Sequence, residues 1–141
     1  MSAPAGTKTI LLIDDDEDFR EPMEIVLQAR GYQVRCAGDG DEGLRMAAEE
    51  PPDLILLDFL MPGKNGFETS QELAASPPLA AVPVLALTSF GKSAMDYYDP
   101  SGQESAGNIC GFLEKPIDFE DLLARVADAL DGDGRAARHQ A

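Results

Sequence analysis

Asp53-Leu54-Ile55-Leu56-Leu57-Asp58-Phe59-Leu60-Met61-Pro62-Gly63-Lys64-Asn65-Gly66 is the stretch that decides the fold. Four apolar residues, Leu54 to Leu57, run into a single carboxylate, Asp58. A short apolar run closed by Pro62-Gly63 and Asn65-Gly66 fits a buried parallel strand followed by a loop better than a helix. Asp58 is therefore expected at the C-terminal end of a strand, on the rim where open α/β sheets bind ligands. Taken alone, such an aspartate can simply end a strand and begin a turn.

Upstream, Thr9–Ile13 is a second apolar run, and it stops at Asp14-Asp15-Asp16-Glu17-Asp18. Phe19, Met23, Val26 and Leu27 then follow helical spacing as far as Ala29, and Gly31 stops the helix. Gln33–Ala37 alternates polar and apolar residues like an edge strand. After the turn Gly38-Asp39-Gly40, Asp41 is expected to cap a helix to about Glu50. Leu44 and Ala47 should face inward, and Pro51-Pro52 ends that helix. Downstream, Phe67–Ala75 reads as a short helix with Leu73 buried, broken at Ser76-Pro77-Pro78. Val82–Leu87 is the fourth strand, ending at Thr88-Ser89. Ile109–Leu113 is the fifth, closed by Glu114-Lys115-Pro116. Asp118 caps a final helix with Phe119, Leu122, Leu123, Val126 and Leu130 along one stripe. Strands alternating with helices predict an α/β fold with a doubly wound, five-stranded parallel sheet.

A chain of 141 residues suggests one domain, here 9–130, with a loose leader at 1–8 and a tail at 131–141. His139, the only histidine, falls in that tail. No window approaches the roughly 20 apolar residues of a membrane span. The first eight residues lack a secretory pattern, so a cytoplasmic location is expected. Cys36 and Cys110 lie in strand-like segments and read as buried free thiols. The net charge of −15, from 11 basic and 26 acidic residues, repels nucleic acid and anionic membranes. It suits cations and basic protein patches.

The chemistry converges at the strand ends. Asp14 and Asp15 follow the first strand, Asp58 ends the third, Thr88 the fourth and Lys115 the fifth. In the common order 2-1-3-4-5, strands one and three are neighbours, and the three carboxylates meet in one pocket. Crowded carboxylates repel, and a hard divalent cation relieves the repulsion. Oxygen-only ligands of this kind suit Mg²⁺. Lys115 adds a compact, mobile positive charge and Thr88 a small hydroxyl. A carboxylate nucleophile, a metal and an ammonium together suit phosphoryl transfer to Asp58.

Over about residues 8–130 the chain resembles the receiver domain of two-component response regulators, a flavodoxin-like fold. The resemblance rests on Ile10–Asp16, Leu54–Gly66, Leu87-Thr88-Ser89 and Gly111–Pro116, which are specific in this order and spacing. It implies that Asp58 accepts phosphate from a sensor histidine kinase or phosphotransfer protein. Asp14, Asp15, Asp58 and the backbone carbonyl of Leu60 would hold Mg²⁺, and Lys115 would contact the phosphoryl group. Thr88 would swing toward it while Phe112 moves inward. The Lys115-Pro116 bond would be cis. The face formed by the fourth helix, fifth strand and final helix would then change shape to regulate a downstream target protein.

Two departures stand out. The segment between Thr88 and Lys115 is long, and no regular amphipathic helix is evident in it. Ser93–Tyr98 suffices for one or two turns before Asp99-Pro100-Ser101-Gly102 breaks them. The expectation is a remodelled, partner-specific loop with Tyr97 and Tyr98 partly exposed. Leu60 and Phe90 are apolar at positions that tune phosphate lifetime in the family, so slow self-dephosphorylation is expected. Three rivals compete. Asp14-x-Asp16 also resembles the nucleophile motif of haloacid dehalogenase-type phosphohydrolases, but that reading leaves Asp58 and Lys115-Pro116 poorly explained. A calcium loop fails at Phe19 and Ile25, where it needs Gly and Glu. A receiver fold used only for protein binding, without phosphorylation, is the third.

Overall fold

The computed structural model describes residues 7–59, 66–88 and 109–131. Five strands are present: β1 (Thr9–Ile13), β2 (Gln33–Ala37), β3 (Leu54–Asp58), β4 (Val84–Thr88) and β5 (Ile109–Glu114). All pair in parallel, in the order β2-β1-β3-β4-β5. Among the described residues the helices are α1 (Glu17–Ala29), α2 (Gly40–Glu49), α3 (Gly66–Ala75) and α4 (Phe119–Leu130). The doubly wound sheet and strand order expected from the sequence are those observed.

Strand side chains alternate between faces, so near-continuous apolar runs build two cores. Ile10, Leu12, Leu54, Leu56, Leu85, Leu87 and Leu113 pack with Met23 and Leu27 of α1 and Leu122 and Val126 of α4. Leu11, Ile13, Ile55, Leu57, Val84 and Ala86 pack on the other face with Ala47 of α2 and Leu73 of α3. The central strands β3 and β4 are buried along their whole length. That burial leaves only their ends for polar chemistry.

The starts of α1, α2 and α4 each have a physical cause. Asp16 caps α1, its carboxylate accepting from the N–H groups of Asp18 and Phe19. At the other end Gly31 adopts φ 95°. Its N–H donates to the Gln28 carbonyl and that of Tyr32 to Leu27, the hydrogen-bond pattern of a left-handed C-terminal cap. Asp118 caps α4 as expected, accepting from the Glu120 N–H. The cap of α2 is Asp39, not Asp41. Asp39 is extended and accepts from the Glu42 N–H at 2.8 Å, which places Asp41 inside the first turn.

Some boundaries and burials differ from expectation. β4 begins at Val84 rather than Val82, because Pro83 has no N–H to give a ladder. Its carbonyl still accepts from the Ile55 N–H. β5 runs on to Glu114, and a register shift pairs Val84 with Ile109 but Leu85 with Gly111, leaving Cys110 as an extra residue. Phe119, at the start of α4, is exposed, and Ala129 is buried in the stripe instead. Neither Cys36 nor Cys110 forms a disulfide, and both are half-buried rather than buried. The readings made for Leu60, Phe90, Ser93–Tyr98 and His139 lie outside the described residues. Among the described residues no helix is long and apolar enough to cross a membrane.

Candidate functional site

The pocket sits where four parallel strands end. β1 delivers Asp14 and Asp15, β3 Asp58, β4 Thr88 and β5 Lys115. Main-chain bonds lock these ends together. The Asp14 N–H donates to Ala37, that of Phe59 to Leu87, and that of Lys115 to Thr88 at 2.7 Å. Side chains 101 positions apart in sequence are thereby brought into contact.

Asp14, Asp15 and Asp58 each offer a carboxylate oxygen, and these atoms lie within 4.8 Å of one another. Asp14 and Asp58 are buried, whereas Asp15 is exposed. The Lys115 ammonium reaches Asp14 Oδ2 at 3.0 Å and Asp58 Oδ2 at 3.6 Å. One ammonium against three carboxylates leaves the pocket electronegative. The donor set is all oxygen, partly open to water and short of positive charge, which fits a hard divalent cation. The other oxygen of Asp14 accepts from the Asp16 N–H at 2.9 Å. Thr88 is buried at the end of β4. The Lys115-Pro116 peptide is cis. Phe112 is half-buried, and its ring meets that of Phe59 edge-on, centroids 5.8 Å apart. Phe59 therefore bridges the Asp58 strand and β5, a contact the sequence reading did not foresee. The Leu60 carbonyl lies outside the described residues.

Two further side chains, Phe19 and Arg20, reach the strand ends from the first turn of α1. Phe19 was assigned to the apolar stripe of α1, yet Lys115 Nζ lies 4.1 Å from the centroid of its ring. Arg20 donates from Nη1 to the Asp14 carbonyl at 2.6 Å, bracing the end of β1. Their signal in the sequence was position: both fall in the first turn after an acidic strand end. Phe19 and Lys115 also line a groove of about 430 Å³ with Pro22, Met23, Pro116, Ile117 and Phe119. Asp16, by contrast, spends its carboxylate on capping α1. That arrangement disfavours the phosphohydrolase and calcium-loop readings, both of which need Asp16 at a reacting or binding centre.

Comparison with known proteins agrees with this geometry. Residues 10–127 match the response regulator receiver domain. The chain is 36% identical over 135 residues to the DNA-binding dual master transcriptional regulator RpaA of Synechocystis, a match covering 92% of this chain and 53% of that protein. It is 31% identical over 123 residues to Protein PilH of Pseudomonas aeruginosa, covering 87% and 98% of the two chains. The chain thus spans about half the length of one relative and nearly all of the other. Among solved structures, a putative response regulator from Chloroflexus aurantiacus superposes with TM-score 0.75 at 32% identity, covering 89% of this chain and 98% of that one. The chemotaxis protein CheY4 of Vibrio cholerae gives TM-score 0.75 at 28% identity, with coverages of 88% and 99%. With the sheet order, the acidic cluster and the family match in agreement, this chain belongs to the response regulator receiver domain family.

Proposed function

We propose that the chain is a phosphorylation-driven signalling switch in which Asp58 accepts a phosphoryl group from the phosphohistidine of a sensor histidine kinase or phosphotransfer protein. A carboxylate oxygen of Asp58 forms the new P–O bond, the P–N bond breaks, and the imidazole nitrogen leaves with its electron pair. The observation that carries this reading is the crowding of Asp14, Asp15 and Asp58 within 4.8 Å, with Lys115 in contact with two of them.

Asp14, Asp15 and Asp58 would hold Mg²⁺, joined by the Leu60 carbonyl that the family resemblance implies. The bound ion would supply charge neutralisation at the transferring oxygens. Lys115 neutralises a further phosphoryl oxygen, and its three donors need no fixed direction. The Thr88 hydroxyl turns toward the new acceptors, and Phe112 follows inward against Phe59. Phosphorylation adds charge and strong acceptors, so it biases the surface of β5 and α4 between two states. A downstream target protein reads that surface. The strong net negative charge of −15 argues against nucleic-acid contact by this chain itself.

Acetyl phosphate with Mg²⁺ tests the proposal. Intact mass should rise by one phosphoryl group in the wild type, and not in Asp58→Asn or without the metal. Labelling that survives Asp58→Asn unchanged would refute the assignment; no labelling in any form favours a receiver fold used only for protein binding.

A further inference from the structure

The Lys115 ammonium has an aromatic ring, that of Phe19, as a neighbour beside two carboxylates. Asp14 Oδ2 and Asp58 Oδ2 stand 3.0 and 3.6 Å from Nζ, and the ring centroid of Phe19 stands 4.1 Å from it. Resting on the reading of Asp58 as phosphoacceptor, we infer that Phe19 is a positioning residue for Lys115. Its ring holds the ammonium at the lip of the pocket and so sets how tightly the site takes a phosphoryl group.

The chemistry favours a ring over any polar neighbour. A lysine ammonium is compact, strongly hydrated and carried on a flexible stem. The negative face of an aromatic ring attracts it without accepting a hydrogen bond in the ordinary sense. All three N–H donors therefore remain available for carboxylate and phosphoryl oxygens. A fourth acid at this place would anchor Lys115 too, but would add charge to a pocket that already repels an incoming anion. A plain aliphatic side chain would fill the space without attracting the cation.

The ring is itself held in place. The Phe19 N–H donates into the Asp16 cap, with Oδ1 at 3.4 Å and the Asp16 carbonyl at 3.1 Å. Its side chain packs at the edge of the core that contains Met23 and Leu122. A single path thus runs from the cap of α1 through Phe19 to the ammonium and on to Asp58.

Calorimetric binding of beryllofluoride, a phosphoryl mimic, in saturating Mg²⁺ tests the inference on the full chain. Phe19→Leu keeps apolar bulk and removes the ring, and should weaken binding roughly three- to tenfold. Phe19→Tyr keeps the ring and should bind like the wild type. In a Lys115→Ala background, Phe19→Leu should have no further effect. A metal-free readout accompanies these: ring current should shift the Lys115 ε-methylene protons upfield in the wild type and Phe19→Tyr, and not in Phe19→Leu. Phe19→Met, also flexible and apolar, serves as a second ringless variant if Phe19→Leu folds poorly. Wild-type binding with no loss in the ringless variants overturns the positioning role. So does equal loss in Tyr and Leu, or a Leu effect that persists without Lys115. No binding by the wild type overturns the reading of the site, and the role of Phe19 falls with it.

Discussion

Lys115 and Asp14 form an ion pair of 3.0 Å between Nζ and Oδ2, with the carboxylate fully buried and the lysine side chain 18% exposed. The ammonium is the compensating charge for a buried acid that also neighbours Asp58. Breaking such a pair from one side leaves an uncompensated buried charge and costs about 3 kcal/mol. Lys115→Met should lose roughly that much in urea unfolding without Mg²⁺. Added Mg²⁺ should restore part of the loss by supplying the missing positive charge. An equal loss with and without the ion would show that Lys115 stabilises by packing and not by charge.

With the metal site proposed at Asp14, Asp15 and Asp58, stability should depend on divalent ions. A ligand bound only to the folded state at tenfold its Kd stabilises by about 1.4 kcal/mol. That corresponds to a rise of a few degrees in Tm for a domain of this size. Wild-type Tm should rise with Mg²⁺ in this way, and Asp58→Asn should flatten the response. Neutralising Asp58 should also raise the metal-free Tm, because it removes repulsion from Asp14 and Asp15. A metal-free Asp58→Asn protein less stable than the wild type would contradict the electrostatic account of the pocket.

Gly66, the first residue of α3, closes against the strand that carries Asp58. A Cβ there would stand 2.5 Å from Phe59 Cα and 2.6 Å from the Asp58 carbonyl oxygen, both main-chain atoms with little room to yield. Its N–H already donates to the Phe59 carbonyl at 3.3 Å. Gly66→Ala should therefore cost about 1–3 kcal/mol by overpacking. It should also weaken the Mg²⁺-dependent rise in Tm, because the end of β3 must move. Wild-type stability together with a wild-type metal response would exclude that coupling.

Most of the fold was legible because parallel strands buried on both faces read as unbroken apolar runs. Leu54–Leu57 and Thr9–Ile13 each end at an acid, and each became a central strand with its carboxylate on the rim. The convergence of Asp14, Asp15, Asp58 and Lys115 followed from strand order alone, since all parallel ends face one way. The misreadings have local causes. Asp39 and Asp41 are both plausible caps, and only the extended backbone of Asp39 decides between them. Phe19 obeys the helical spacing of α1, so periodicity placed it in the core. Its contact with Lys115 depends on a side chain 96 positions later, which no local pattern reports. The edge-on pair of Phe59 and Phe112 was hidden for the same reason: it joins the end of β3 to the interior of β5, strands that are not neighbours in the sheet.

Cys36, on edge strand β2, makes stability sensitive to alkaline pH. Burial first, and then the nearby Glu24 carboxylate, push its thiol up from 9.0 to about 11, against a smaller downward pull from Arg20. The Sγ–H donates to Glu24 Oε1 at 3.7 Å, which further favours the protonated form. Below about pH 9 the folded and unfolded chains both hold the proton, and the thiol's contribution is complete. Between about 9 and 11 the unfolded chain releases its proton while the folded chain keeps it, so stability falls as pH rises. The thiolate is the nucleophile, so alkylation of Cys36 in the folded protein should be slow at pH 8 and accelerate toward pH 11. Urea unfolding of wild type and Cys36→Ser from pH 8 to 11 isolates this group, because other titrating residues are common to both. The wild type should lose stability more steeply across that window. Parallel curves, with Cys36 alkylated at pH 8 as fast as in the denatured chain, would show that the thiol is neither shielded nor coupled to Glu24.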